Sequence, residues 1–416
     1  MVPVIGEDLA QGQLAYADPW FTEAEAQALL RLNDIRRGFC QRLSGGIKLA
    51  QHCGIVRLPN CVVEVLPKIG MTDSRTPNEL DRSRGALLTM LHSARDIRIS
   101  KIGSVPQQGV RAPLLDIFVQ TFLHCALEQA RRGLLSRYVQ HADDLPVIKG
   151  RFQAQGHVRR NIARPHLLHC EYDEFTADNP YNRAIRKTLD VCRTWASQAI
   201  TQRLWHETHA RFSNVSLVPM SSAEVAALPR DRTTHHYLPV LVWCQWLLGM
   251  CSPALSAGAS KAPGLLFDMN KLFEAHVSGL EDADASDGYI VHRQGPVEAL
   301  AKREGGDAFP LRPDITVWHA AADGSTEGIA RILDAKWKRL DPHATQWGVD
   351  QSDVYQMVAY ALHYDCRLLE LVYPEFGPAS VSAAAEPMFK INAPGLGPAA
   401  LEVRVRTVPL WRKAVQ

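Results

Sequence analysis

No Cys-x-x-Cys pair occurs among the nine cysteines of this 416-residue chain. Cys40, Cys53, Cys61, Cys125, Cys170, Cys192, Cys244, Cys251 and Cys366 are scattered and odd in number, which points to neither a thiolate zinc site nor a disulfide framework. Met1 to Asp8 lack the basic stretch and apolar core of a signal peptide, so a reducing cytoplasm is the expected setting. The longest apolar run, Leu238 to Cys251, is interrupted by Pro239 and Gln245 and is too short to cross a bilayer. It reads as a buried helix, and no membrane contact is expected. The absence of Gly-x-x-x-x-Gly-Lys-Ser/Thr removes the P-loop, so the chain is not expected to bind or hydrolyse a nucleotide itself. An excess of one charge is missing too. With 46 Lys+Arg against 44 Asp+Glu the net charge is +2, so any grip on nucleic acid must come from a local patch or a partner.

What is present divides into three regions of an α+β or α/β multidomain chain. The length allows two or three domains with real cores. Residues 1–105 mix a helix over Thr22 to Ile35 with strands and form a β-rich region; Ile55 to Leu58, Pro59-Asn60 and Cys61 to Leu66 make a hairpin, and Gly45-Gly46 marks another turn. A short helix is expected from Leu87 to Ala94. Residues 106–258 read as mainly helical, with helices over Ala112 to Tyr138 and Asn182 to Ile200 and a strand-like piece around Gly150 between Val147 and Val158. Ser252 to Gly264 is the best linker candidate, and residues 259–416 form the third region, closed by strand patterns at Arg367 to Tyr373 and Leu401 to Val408.

The third region carries the chemistry. Arg312 to Trp318 reads as a strand in which Ile315 and Val317 alternate with Asp314, Thr316 and Trp318. In a second strand, Ala330 to Trp337, the side chains of Ile332, Asp334 and Lys336 share one face, and Leu333, Ala335 and Trp337 share the other. Asp323-Gly324 between them is a reversal signal. Folding about Gly324 sets Asp314 opposite Asp334, with Lys336 along the same face. Two carboxylates held together repel unless a hard cation joins them, and Mg²⁺ is such an ion. A lysine beside it can orient or deprotonate the attacking water. A surface ion pair would also account for Asp-x-Lys on a strand. Helices flank this hairpin. Asp268 is placed to cap one with Leu272, Phe273, His276, Val277 and Leu280 as its apolar stripe and Glu274 at the margin. Val354, Met357, Val358, Ala361 and Leu362 stripe the other, leaving Gln356 and Tyr360 on the opposite face. Glu274 as a rim acid and Gln356 as a solvated amide remain open readings.

These residues resemble the PD-(D/E)xK nucleases, with Glu274 as the helix acid, Pro313-Asp314 and Asp334-Ala335-Lys336. Asn270-Lys271-Leu272-Phe273-Glu274, Arg312-Pro313-Asp314-Ile315, Leu333 to Lys338 and Tyr355-Gln356-Met357 are similar to the McrC family, the nuclease subunit of McrBC modification-dependent restriction systems. The resemblance extends upstream through Val63 to Gly70, Leu87 to Leu91, Lys149-Gly150-Arg151 and Asn179 to Arg183. It implies a restriction-endonuclease-like domain, a mixed sheet flanked by helices, at residues 259–416. It implies a Mg²⁺-dependent endonuclease acting on double-stranded DNA with modified cytosine. Asp314, Asp334, the Ala335 backbone carbonyl and Glu274 would hold metal; Lys336 would position or activate water, and Gln356 would hold a ligand or phosphate. It further implies a GTP-hydrolysing AAA+ ring as partner, docked through residues 1–105 and the middle region and stimulated by this chain. The competing expectations are an assembly subunit with vestigial nuclease motifs and a nuclease of another defence complex.

Other features carry less. His166, His169 and Cys170, and the His235-His236 doublet, read as structural because no further soft-ligand pair accompanies them. Arg159-Arg160 and Arg186-Lys187 read as solvated helix faces, whereas Arg331, Lys338 and Arg339 bracket the second strand and are DNA-contact candidates.

Overall fold

The computed structural model describes residues 2–3, 21–35, 38–58, 61–69, 77–94, 113–250, 264–284, 288–304, 306–321, 325–376, 386–391 and 401–410. They belong to two compact units, one of residues 1–111 and 266–416, the other of residues 112–265. The first and third regions of the sequence reading therefore lie in one unit. The boundaries near 105 and 258, the Pro59-Asn60 and Asp323-Gly324 turns and all of the linker but Gly264 fall outside the described residues.

The first unit begins with β1 (Val2–Pro3), α1 (Glu23–Ile35), β2 (Cys40–Leu43), β3 (Gly46–Leu49), β4 (His52–Arg57), β5 (Val62–Val65) and α2 (Pro77–Ser93). Ala26, Leu29 and Leu32 of α1 are buried at the i, i+3, i+6 spacing of one helix face. Gly45, at φ 79°, turns β2 into β3, and β4 pairs antiparallel with β5 as the alternation required. Helix α2 starts ten residues earlier than the short helix expected from Leu87.

The second unit holds α3 (Leu114–Arg132), β6 (Arg137–Leu145), β7 (Arg151–Phe152), α4 (Ala154–Arg160), β8 (Leu168–Thr176), α5 (Pro180–Cys192), α6 (Ala199–Arg211), α7 (Ser222–Ala226) and α8 (Leu238–Gly249). Three expectations are corrected here. The helix read through to Tyr138 stops at Arg132, because Gly133 at φ 99° ends it and β6 begins. The helix read over Asn182 to Ile200 is two helices, the first capped by Asn179, whose side chain accepts from Tyr181 and Asn182 N–H groups. Of the strand-like piece around Gly150 only Arg151–Phe152 is strand, and α4 follows. The three strands form a sheet in the order β6-β8-β7.

The first unit resumes within β9 (Gly264–Asp268), at Leu266, and continues with α9 (Met269–Asp284), β10 (Tyr289–Arg293), β11 (Glu298–Arg303), β12 (Gly306–Leu311), β13 (Ile315–Ala320), β14 (Thr326–Ala335), α10 (Gln351–Tyr364), β15 (Leu368–Glu375), β16 (Met388–Ile391) and β17 (Leu401–Pro409). Among the described residues six of these strands form a mixed sheet, β10-β13-β14-β15-β17-β16. β13 and β14 are antiparallel, while β14, β15 and β17 run parallel, α10 being the crossover between β14 and β15. Ile332, Leu369, Leu371, Val403 and Val405 pack under Met357, Tyr360 and Ala361 of α10. On α9, the Asp268 carboxylate accepts from the Asn270 N–H at 2.9 Å and caps the helix. Gly279 lets α2 come close: a Cβ there would lie 2.0 Å from the Ser93 carbonyl oxygen. Ser93 also hydrogen-bonds the buried His276 of α9.

Candidate active site

Register brings the two aspartates together. Ile315 pairs with Leu333, so one step outward sets Asp314 level with Asp334, and the Ala335 N–H donates to Asp314 Oδ2 at 2.9 Å. Lys336 Nζ lies 2.6 Å from Asp334 Oδ2 and donates to Gln356 Oε1 of α10 at 3.0 Å. The expected alternation holds. Ile332 packs beneath α10, toward which Lys336 also reaches, whereas Trp337 meets Phe273 of α9 edge-on at 5.5 Å. Thr316 is fully buried beside Ile315, so β13 is covered on both faces where it enters the site.

Helix α10 ties the cluster to the Pro-Asp turn. Gln356 Nε2 donates to the Tyr360 hydroxyl at 2.7 Å, and that hydroxyl donates to the Arg312 carbonyl at 2.9 Å. Tyr360, expected on the outward face, is only 2 % exposed, while Leu362, expected inside, is 52 % exposed. The polar face of this helix is the face that covers the site. Asp353, one turn before Gln356, was not foreseen: it is buried, its Oδ1 is 3.6 Å from Lys336 Nζ, and its Oδ2 accepts from Lys338 at 3.0 Å. Its i, i+3 spacing from Gln356 was the available signal.

Glu274 is half-buried at the margin of α9, as its helical angle indicated, and accepts from Gln294 Nε2 at 2.7 Å. The Gln294 backbone N–H donates to the Asp314 carbonyl at 2.7 Å, so Gln294, absent from the sequence reading, joins the helix acid to the Pro-Asp strand. Among the described residues no group of three or more His, Cys, Asp or Glu side chains is placed to share a metal ion. Glu274 is nonetheless close enough for its charge to raise the Asp314 carboxyl.

Electrostatics explains what the pair needs. Burial, then the neighbouring Asp334 and Glu274 charges, push the Asp314 carboxyl up to about 7. Burial likewise raises Asp334, against the pull of Lys336, and raises Glu274. Lys336 is lowered by burial but raised more by Asp334, Asp353 and Asp314, so its amine holds its proton. Of the two roles expected of it, orienting water or deprotonating it, the raised direction favours the first. Asp334 Oδ2 is buried, with the Lys336 ammonium 2.6 Å away as its charged neighbour. Two desolvated carboxylates brought side by side, with a single ammonium against one of them, fit a small hard cation held by two acids.

The DNA-contact candidates fare differently. Arg331 is engaged with Glu281 and, at 3.3 Å, with Glu370, both of which also pair with Arg406. That ion network occupies its guanidinium. Lys338 is tied to Asp350 and Asp353, and Arg339 is exposed. His169 Nδ1 is 2.8 Å from Asp144 Oδ1, in keeping with a structural role, while His166 is exposed and Cys170 buried.

Comparison with known proteins adds the following. The family model for McrBC 5-methylcytosine restriction system components matches residues 47–374. No curated protein matches the chain in sequence. A chain of the refined half-complex from the tetradecameric assembly of Thermococcus gammatolerans McrB AAA+ hexamers with bound McrC is similar in fold, with a TM-score of 0.66 at 15 % identity over 98 % of this chain and 94 % of that one. A chain of the cryo-EM structure of the Thermococcus gammatolerans McrBC complex gives a TM-score of 0.47 at 16 % identity, over 64 % of this chain and 83 % of that one. Among the described residues no helix is long and apolar enough to cross a membrane.

Proposed function

The chain belongs to the family of McrBC 5-methylcytosine restriction system components, and we propose that within such a system it is the subunit that cuts DNA. The observation that carries this reading is the meeting of Asp314, Asp334 and Lys336 at one end of a mixed sheet. Asp314 and Asp334, with the Ala335 carbonyl beside them, would hold Mg²⁺. When bound, that ion supplies Lewis-acid polarisation of a phosphate and a lowered pKa for water.

The chain's own residues do the rest. Lys336, kept cationic by three acids, orients the attacking water and stabilises negative charge gathering on the phosphoryl oxygens. Gln356 fixes the direction of that ammonium, and Tyr360 holds Gln356 to the Arg312 carbonyl. Glu274, through Gln294, aligns the strand carrying Asp314. The water oxygen bonds to phosphorus in line with the 3′ oxygen as its proton passes to bulk water, and the P–O3′ bond breaks, the 3′ oxygen taking a proton from solvent.

A partner ring supplies what this chain does not. In the half-complex of similar fold McrC is bound to McrB AAA+ hexamers. By that likeness we assign this chain an AAA+ GTPase partner, docked through residues 1–105 and the middle region and stimulated by them. The test is reconstitution on duplex DNA bearing modified cytosine. The chain with Mg²⁺ alone should cut poorly, and partner plus GTP should produce cutting. Asp314→Ala should lose cutting and keep GTPase stimulation. Robust cleavage by the solitary chain would contradict the partnered reading.

A further inference from the structure

Between the helix acid and the Pro-Asp strand the chain leaves the sheet as a two-stranded ribbon, β11 and β12, with no role in the site described above. Its pairing is regular: Glu298 faces Leu311, Ala299 faces Pro310, Ala301 faces Ala308, Lys302 faces Asp307 and Arg303 faces Gly306. The register is the same on both sides of Phe309, which sits at φ 56°. Only Leu311, at the root, is buried; the rest of the ribbon is exposed or half-exposed. The root is fixed. Tyr364 of α10 places its hydroxyl 2.7 Å from the Pro296 carbonyl and 3.1 Å from the Leu311 carbonyl, and Arg312-Pro313-Asp314 follows directly.

The two faces differ. Glu298, Leu300 and Lys302 alternate onto the face that begins at buried Leu311 and includes Asp307. Ala299, Ala301 and Arg303 share the other face with Gly306, Ala308 and Pro310, and exposed Arg312 continues that alternation. This second face has small side chains, an arginine at each end and no acid. From Gly306 to Arg312 the strand spans about 20 Å at roughly 3.3 Å per residue. The major groove of B-form DNA, about 12 Å wide, admits a two-stranded ribbon, and phosphates line both its edges.

We propose that the ribbon is a groove arm for duplex DNA, laid with its Ala299–Ala301–Arg303 face in the major groove next to the candidate site at Asp314 and Asp334. The proposal rests on the nuclease reading and adds how the substrate is gripped. Arg312 contacts phosphate at the root, Arg303 contacts it near the tip, and the small residues between them let the backbone lie close to the groove floor. Glu298 and Asp307 point away from the nucleic acid.

The test is binding, not cutting, so its failure is separable from failure of the nuclease reading, which cleavage by active-site variants decides. The full chain is titrated with a fluorescent 30-base-pair duplex in EDTA, read by anisotropy at several salt concentrations. Ala301→Asp, on the acid-free face, should weaken binding at least about tenfold, and Leu300→Asp, on the opposite face, less than about threefold. Arg303→Ala should lower the slope of log Kd against log salt by about one. All three positions are exposed, so unchanged melting temperatures are expected as the folding control. Equal effects of the two aspartates, or no effect of either, overturn the proposal. So does a wild-type chain that binds no duplex, or an Ala301→Asp chain that binds DNA normally but no longer associates with the AAA+ partner.

Discussion

Replacing Asp314 by Asn should make the metal-free protein more stable at pH 8, not less. Asp314 ordinarily has a pKa of 3.8, and burial beside Asp334 and Glu274 raises it to about 7. At about 1.4 kcal/mol per tenfold change in proton affinity, the folded state resists this ionisation by about 4 kcal/mol as an upper bound. The sign follows from linkage. Below 3.8 both folded and unfolded chains carry the proton; as pH rises toward 7 the unfolded chain loses it first, so stability falls over that window. Asparagine removes the charge and keeps an oxygen for the Ala335 N–H, 2.9 Å away. A gain of about 1–3 kcal/mol at pH 8 is expected after allowance for solvent relaxation, shrinking toward zero near pH 4. The assay is urea denaturation in EDTA at both pH values, repeated with Mg²⁺. Mg²⁺ should raise the stability of the wild type and leave the variant nearly unmoved. A variant less stable than wild type in EDTA at pH 8 would refute the claim that these carboxylates are held together at a cost.

Two further outcomes follow from packing. Tyr360→Phe removes the hydroxyl that joins Gln356 to the Arg312 carbonyl, so cleavage should fall about tenfold while urea stability drops by only about 1 kcal/mol. Gly279→Ala would drive a methyl to 2.0 Å from the Ser93 carbonyl oxygen and should destabilise the first unit by about 1–3 kcal/mol in urea titration.

The core of the site was legible because a strand has a period of two. That period, a reversal signal and an alternating pattern put Asp314 across from Asp334 and Lys336 on the same face as Ile332. Hydrophobic periodicity failed where a polar face is itself the buried one. Tyr360 was read as outward because its helix was assumed to turn only apolar residues inward, yet its ring packs under the site and its hydroxyl finds two partners. Strands β6 and β8 were missed because exposure there does not follow polarity: Tyr138 and Phe175 are exposed while Arg137 and His141 are half-buried, so the sequence shows no apolar/polar alternation. Gly133, just past Arg131-Arg132, was the stop signal that would have ended α3 correctly. The ion pairs of Arg331 were not legible, because its partners Glu281 and Glu370 are distant along the chain.

The most direct measurement is the cleavage rate of modified-cytosine duplex DNA by the complete complex, with GTP and Mg²⁺, carrying Lys336→Met. Loss of this cation beside Asp334 should lower the rate by at least about a hundredfold while GTP hydrolysis continues. A variant complex that cuts at the wild-type rate would contradict the assignment of Asp314, Asp334 and Lys336 as the nuclease centre.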